Sequence, residues 1–283
     1  MDPQKNARFR ELLKRPGALV CAGVYDCVSA RIAEQTGFDA VYMTGNGAMA
    51  SLLGCPDLGL GTMTNMVERA HQIAEAITVP LFCDCDNGYG NVNNVRYAIR
   101  EFESAGVSGV HIEDQGYPKR CGAMPGVTLT SPEDMTRKLR AAVAARRDPN
   151  FFICARTDST CVHGLDEAIR RCKLYADTGV DMVYAEMLRE RKDVERFARA
   201  MEGFPIAFDH LETGDGHLYA VKDLEDMGYK LIFNCLSASF VAAHALKAFY
   251  AHYRETGNTA GFLDKMVSLR EYERILGIET YQE

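Results

Sequence analysis

The chain has 283 residues, 47% of them hydrophobic and 25% charged, an ordinary globular balance with enough apolar material for a large core. A formal charge of −7 and a pI near 5.6 argue against a partner such as nucleic acid, whose phosphate backbone calls for a concentrated basic face. The opening MDPQKNARFRELLKR has no apolar export core, no later run nears the ~20 apolar residues of a membrane span, and ten scattered cysteines fit reduced, buried thiols, so a cytoplasmic chain is expected.

In chain order, short apolar runs mark eight candidate strands at 19–23, 40–44, 80–84, 109–113, 151–156, 182–186, 205–209 and 230–235. Between them lie SARIAEQTG, MVERAHQIAEAI, VRYAIREFESAG, PEDMTRKLRAAVAARR, LDEAIRRCKLYADTG and VERFARAME, with apolar residues at three- and four-residue spacing. Several of these end in glycine just before the next strand, as a helix C-cap does. Strict alternation of strand and helix predicts a parallel sheet, and eight units in this length fit one closed (β/α)8 TIM-type barrel over 1–283. An open doubly wound sheet is the alternative.

Barrel chemistry sits at the carboxyl ends of the strands. The residues that end these runs are Thr44-Gly45-Asn46-Gly47 on the second, Asp84 and Asp86 on the third, and His111, Glu113 and Asp114 on the fourth. Arg156 and Asp158 end the fifth, and Glu186 the sixth. In PLFCDCDNGYG, alternation along a strand points Asp84 and Asp86 to one side and Cys83 and Cys85 to the other. Like charges so close need a cation, and Mg²⁺ held partly through water fits an all-oxygen cluster. The plainer reading is that these acids cap the next helix. Glu113 and Glu186 could each serve a salt bridge, Arg156 could be their buried partner, and His111 between Val110 and Ile112 has the surroundings of a core histidine.

The loop HIEDQGYPKRCGAMPG sets Cys121 beside Lys119 and Arg120. Positive neighbours favour the thiolate, so the sequence predicts a thiol titrating below about 8.5 and suited to proton transfer. A loop thiol without a role is the other reading.

GVYDCVSARI, YMTGNGAMAS, PDLG, DCDNGYGN, GVHIEDQ, PKRCG, ARTDS and GLDEAI occur in an order that resembles the isocitrate lyase and phosphoenolpyruvate mutase superfamily, from about Gly23 to Glu186. The resemblance implies a barrel holding Mg²⁺, with Mn²⁺ admissible, near Asp84, Asp86 and Glu113, mostly through water. It implies an α-oxo-acid fragment bound by Thr44, Gly45, Asn46 and Arg156, and a wider substrate set of Tyr42, Asp57, Arg120, Gly122, Glu186 and His210. Lys119, Glu113 and Arg156 join Cys121 in the implied catalytic set. The last barrel helix, with the C-terminal helices from about 237, is implied to be exchanged with a neighbouring subunit in a homodimer or homotetramer.

K-R-C-G resembles the carbon–carbon lyases of the family, such as methylisocitrate lyase and dimethylmalate lyase, so the expected reaction is Mg²⁺-dependent cleavage of a malate-type 2-hydroxy carboxylate. The products would be a pyruvate-like α-oxo acid and a second carboxylate. Oxaloacetate decarboxylation or hydrolysis, carboxyphosphonoenolpyruvate-type phosphorus transfer, and a silent dicarboxylate-binding barrel are the alternatives. Family lyases follow K-R-C-G with histidine where this chain has Ala123, and show asparagine and then threonine where FDHLETG has Asp209 and Leu211. An aspartate is expected to repel a substrate carboxylate, and His210 reads equally as a substitute donor from another wall or as a packing residue.

Overall fold

A computed structural model describes residues 3–212 and 218–281. Its strands are β1 (Leu19–Val24), β2 (Ala40–Met43), β3 (Leu81–Asp84), β4 (Gly109–Glu113), β5 (Phe152–Thr157), β6 (Met182–Ala185), β7 (Ala207–His210) and β8 (Leu231–Asn234). All pair in parallel in the order β6-β5-β4-β3-β2-β1-β8-β7. A lone parallel bridge from Val183 to Ile206 joins β6 to the entry of β7 and brings the ends of the sheet together. The chain is therefore a TIM-type barrel, not an open sheet.

The helices are α1 (Pro3–Lys14), α2 (Cys27–Gln35), α3 (Gly45–Leu53), α4 (Met63–Ala76), α5 (Val92–Ser104) and α6 (Pro132–Ala145). They continue with α7 (Ser159–His163), α8 (Leu165–Ala176), α9 (Arg191–Ala200), α10 (Val221–Asp226), α11 (Ser237–Thr256) and α12 (Leu269–Ile275). Local chemistry starts them where the sequence does: Asp26, Thr62 and Asn91 each form a capping box, and Ser131 caps α6 with proline in its first turn. Gly106 (φ 88°) and Gly179 (φ 89°) close α5 and follow α8 in the left-handed region that a side chain disfavours.

Strand side chains split into two cores. Inside the barrel lie Tyr42, Phe82, Phe152, Tyr184 and Phe233, and α1 seals the amino-terminal end by setting Phe9 5.9 Å from Phe82 and 5.3 Å from Phe152. The opening stretch, in which the sequence shows only the lack of an apolar export core, is thus a plug, with Phe9 and Leu12 buried. Cys83 and Cys85 join Val41, Val110 and Ile153 in the layer between strands and helices, as alternation predicts.

α11 differs from the other long helices. None of its residues is buried, and Phe240, Val241, Leu246, Tyr250 and Tyr253 are exposed. Among the described residues no helix is long and apolar enough to cross a membrane. Thr213 and Gly214 of FDHLETG lie outside the described residues.

Candidate active site

β3 ends at Asp84, and the next acid does not continue its alternation: Asp86 has left the strand with φ 47°, its N–H donating to Asp84 Oδ1 at 2.8 Å. Both carboxylates still reach the barrel mouth. The cation nearest Asp86 is Lys119, whose Nζ pairs with Asp86 and donates to Asp57 Oδ2 at 2.9 Å. Burial works against this ammonium, but Asp86, Glu113, Asp84 and Asp57 outweigh it and hold the lysine charged. Gly45 opens α3 so close to β3 that a Cβ there would stand 2.4 Å from Asp84 Oδ2, a reason for glycine that its φ does not supply. With Thr44 capping, the first amides of α3 stand at the mouth, a position suited to an anion.

Arg156 leaves β5 into the same space. Its Nε and Nη2 form a bidentate pair with Asp158 at 2.9 and 2.7 Å, and Nη1 stands 3.5 Å from Glu186 Oε2 and 3.4 Å from the Tyr184 hydroxyl. Glu113 Oε2 lies 3.5 Å from Arg156 Nε, while its buried Oε1 has no protein partner. Burial drives the Glu113 carboxyl well above the usual carboxylate range, Lys119 and Arg156 opposing. Gly122 makes this packing possible, since a Cβ would meet Asp158 Oδ1 at 2.4 Å and Arg156 Nη2 at 2.5 Å. Asp114 turns to the helix layer, where Arg171 Nη1, Thr157 Oγ1 and Tyr175 Oη bond it.

Cys121 closes the mouth, its N–H donating to Asp57 O at 3.0 Å. The expected depression of its thiol pKa is reversed. Burial pushes it up, Glu186 and Asp57 add to that, and the Ala123 backbone and Asn46 side chain oppose it. The two basic neighbours do not reach the sulfur: Lys119 is held by Asp57 and Asp86, and Arg120 Nη1 turns out to Pro125 O at 2.8 Å.

The enclosed cavity is lined by Thr44, Asn46, Asp57, Asp84, Glu113, Lys119, Cys121, Gly122, Arg156 and Glu186 from the expected set. Asp209, Leu211, Cys235 and Leu236 complete it. Of these four, Asp209 and Leu211 had a signal, as departures at the end of a strand; the cysteine read as one more buried thiol. Its volume is about 20 Å³, the space of about one water. Five expected residues fall outside its lining: Gly45 and Asp86, which stand against Asp84 and Lys119, and Arg120, Tyr42 and His210. Arg120 faces outward, and Tyr42 lies below, its hydroxyl 2.8 Å from His111 Nε2. His210 is on the opposite face of β7 from Asp209, edge-on to Phe208 at 5.4 Å, so it does not supply the missing donor. His111 is the buried core histidine that its apolar neighbours indicate, kept neutral by burial and by Arg156.

Among the described residues no three His, Cys, Asp or Glu side chains converge to hold a metal by themselves. Asp84 and Glu113 nevertheless offer only oxygens to the cavity, and the unpartnered Glu113 Oε1 is a donor in want of a cation. That set fits Mg²⁺, which keeps several waters and takes one or two carboxylates.

An acid-rich mouth with one committed arginine at the carboxyl ends of eight parallel strands defines a barrel enzyme with its active centre there. Residues 9–256 match the family described as Phosphoenolpyruvate phosphomutase. The 2,3-dimethylmalate lyase of Eubacterium barkeri is 39% identical over 277 residues, 98% of this chain and 96% of that protein. An oxaloacetate acetylhydrolase in complex with the inhibitor 3,3-difluorooxalacetate has a TM-score of 0.94 at 31% identity, covering 99% of this chain and 95% of its own. A phosphonopyruvate hydrolase in complex with oxalate and Mg²⁺ has a TM-score of 0.88 at 26% identity, covering 98% and 96%. The chain belongs to the phosphoenolpyruvate mutase and isocitrate lyase superfamily. Within it, the chain is a carbon–carbon bond lyase.

Proposed function

We propose that the enzyme cleaves a short 2-hydroxy dicarboxylate of the alkylmalate class, releasing a pyruvate-like α-oxo acid and a second carboxylate. The observation that carries this reading is the convergence of Asp84, Glu113, Lys119, Cys121 and Arg156 on one closed space. Asp84, Asp86 and Glu113 would hold Mg²⁺, or Mn²⁺, whose charge would stabilise oxyanions of the bound acid. The first amides of α3 and Arg156 Nη1 receive the oxo-acid end, and Arg156 is fixed for this by Asp158. A carboxylate of the mouth takes the substrate hydroxyl proton. The bond between the carbinol carbon and its neighbour breaks, its electron pair passes to the departing fragment, and the Cys121 thiol protonates that carbon. Return of the hydroxyl proton to the thiolate resets the site without net consumption.

The cavity is too small for any dicarboxylate, so the loop carrying Cys121 has to open for entry and close again for reaction. Its ties include the Lys119 pairs to Asp57 and Asp86 and the Cys121 N–H bond to Asp57 O. Closure excludes water, and under those conditions a third substrate carboxylate would need donors of its own. Leu211 offers none, and neither does Ala123, where the resemblance to the family's lyases implies a histidine. Alkylmalates are therefore expected to show higher kcat/KM than methylisocitrate or isocitrate in a screen that reads oxo acid formed with Mg²⁺. Faster turnover of methylisocitrate than of every dicarboxylate would overturn this assignment.

The same reading makes the enzyme a homodimer or homotetramer. Val241 is 69% exposed and Tyr250 61%, on a 20-residue helix none of whose residues is fully buried within its own chain, a face that water does not favour. Light scattering is expected to give an oligomer for the native protein and a smaller species after Val241→Asp with Leu246→Glu. A fully active monomer at micromolar concentration would contradict it. Ten unpaired thiols suit a reducing, cytoplasmic setting.

A further inference from the structure

Lys138, in the second turn of α6, is only 9% exposed, and its Nζ donates to Asn87 O at 3.0 Å. An ammonium has three hydrogens to give, and a buried charge without a counter-ion is costly. Among the described residues no acid forms an ion pair with it: Asp134, one turn earlier on the same helix, is taken by Arg137. Lys138 lines instead a cavity of about 370 Å³ at the first turns of α5 and α6, with Asn87, Gln115, Tyr117, Asp134 and Arg137 in its wall. No residue of this wall lines the active-site cavity. We propose that it is a second binding site, for a small phosphate monoester whose phosphate accepts the Lys138 hydrogens that Asn87 leaves over.

Two cations against one acid give this wall an excess of positive charge in a chain whose net charge is −7. Lysine binds phosphate as a point charge and arginine as a fork. The Arg137 side chain, 69% exposed, stands at the rim, where it can turn from Asp134 to a ligand. The start of α5 is in the wall too, but Asn91 Oδ1 already accepts from the Asn93 and Asn94 amides, so the charge comes from the two side chains and not from the helix end. The volume lies within the range of about 300–1,000 Å³ usual for small-molecule sites, more than a bare phosphate fills, and the exposed Tyr117 ring offers a face to an organic group. Asn87 directly follows Asp86, and its Nδ2 donates to Gln115 O and Gly116 O, both at 3.3 Å. Gln115 in turn holds the Arg120 backbone, Nε2 donating to Arg120 O at 2.8 Å and Oε1 accepting the Arg120 N–H at 3.0 Å. A ligand here rests on the base of the loop that carries Lys119 and Cys121 without entering the mouth, the position of an effector and not of a reactant.

Calorimetric titration of the native protein with glycerol 3-phosphate is expected to show one site per chain, with the same affinity whether or not oxalate and Mg²⁺ are present in excess to fill the mouth. Inorganic phosphate is expected to bind the same site more weakly, because it makes no contact with Tyr117. Lys138→Met is expected to weaken binding of the ester by about tenfold or more, the loss of a charge-assisted hydrogen bond, and Lys138→Arg to keep most of it. Arg137→Glu changes an exposed side chain and leaves the core alone, so it is expected to fold as the native protein does and to weaken binding by a similar factor. Thermal unfolding of each variant separates lost binding from lost fold. Inorganic phosphate binding as tightly as the ester would overturn the monoester as the ligand and leave the free ion. No binding of either, competition between the ester and oxalate, or full affinity in Arg137→Glu and in folded Lys138→Met would overturn the site itself.

Discussion

Asp84→Ala is expected to remove turnover altogether, and excess chelator is expected to do the same to the native enzyme. Asp84 stands at the end of β3 with Oδ2 packed against α3 at Gly45 and Oδ1 accepting the Asp86 N–H. Its loss therefore removes an oxygen donor and loosens the turn that presents Asp86. The fold should survive: one hydrogen bond from a backbone N–H to a carboxylate is worth about 1.5–3 kcal/mol, against a typical stability of about 5–15 kcal/mol. Removing one acid from a mouth that also holds Asp57, Asp86, Glu113, Glu186 and Asp209 relieves repulsion as well. Thermal unfolding gives a check apart from activity. Mg²⁺ at about 100 times its Kd stabilises a binding-competent fold by about 2.7 kcal/mol, a gain expected for the native protein and absent in Asp84→Ala. Full turnover of the native enzyme in excess chelator would sink the metal assignment.

Backbone architecture was the most legible part of the sequence. Each of the eight apolar runs became a strand with ends shifted by a residue or two, because strands buried on both faces must be apolar and their turns need glycine or caps. Four helices escaped, α1, α3 and the short α7 and α10, the first two for definable reasons. α1 has only a sparse apolar stripe, centred on Phe9 and Leu12, which is enough to plug a barrel but weak as a pattern. α3 begins with Gly-Asn-Gly, which reads as a loop until Thr44 is seen to cap it.

The site was legible as a list and illegible as a set of partnerships. Adjacent charges in sequence suggested that Lys119 and Arg120 would act on Cys121, yet side chains answer to what the fold brings near. Lys119 finds Asp57, 62 positions away, and Arg120 finds Pro125 on the outside of the loop. In the same way His210 looked like a donor beside Asp209, and strand alternation sends it to the other face of β7. Nor does period-two reasoning extend from Asp84 to Asp86, because the strand stops between them and the second acid takes a left-handed backbone.

Cys121→Ala is expected to lower kcat by about 10²–10⁴-fold with little change in KM, the range for losing a positioned proton donor. The thiol lines the cavity without holding any of the charged groups in place, so its truncation leaves Arg156, Lys119 and the three metal-side acids where they are. Burial, Glu186 and Asp57 keep it protonated, which suits a group that must give a proton to a carbanion. The pH dependence of kcat tests that state. With a raised thiol, kcat at saturating substrate stays level through neutrality and falls only above about 8.5, the ordinary thiol value. A thiol depressed by Lys119 and Arg120 would instead lose its proton, and the enzyme its acid, near neutral pH. Cys121→Ser is expected to lie between the native enzyme and alanine, since serine keeps a proton at the same place and gives it up less readily. An alanine variant with undiminished kcat would remove the thiol from the reaction and leave the carbanion to be quenched by water or another residue of the cavity.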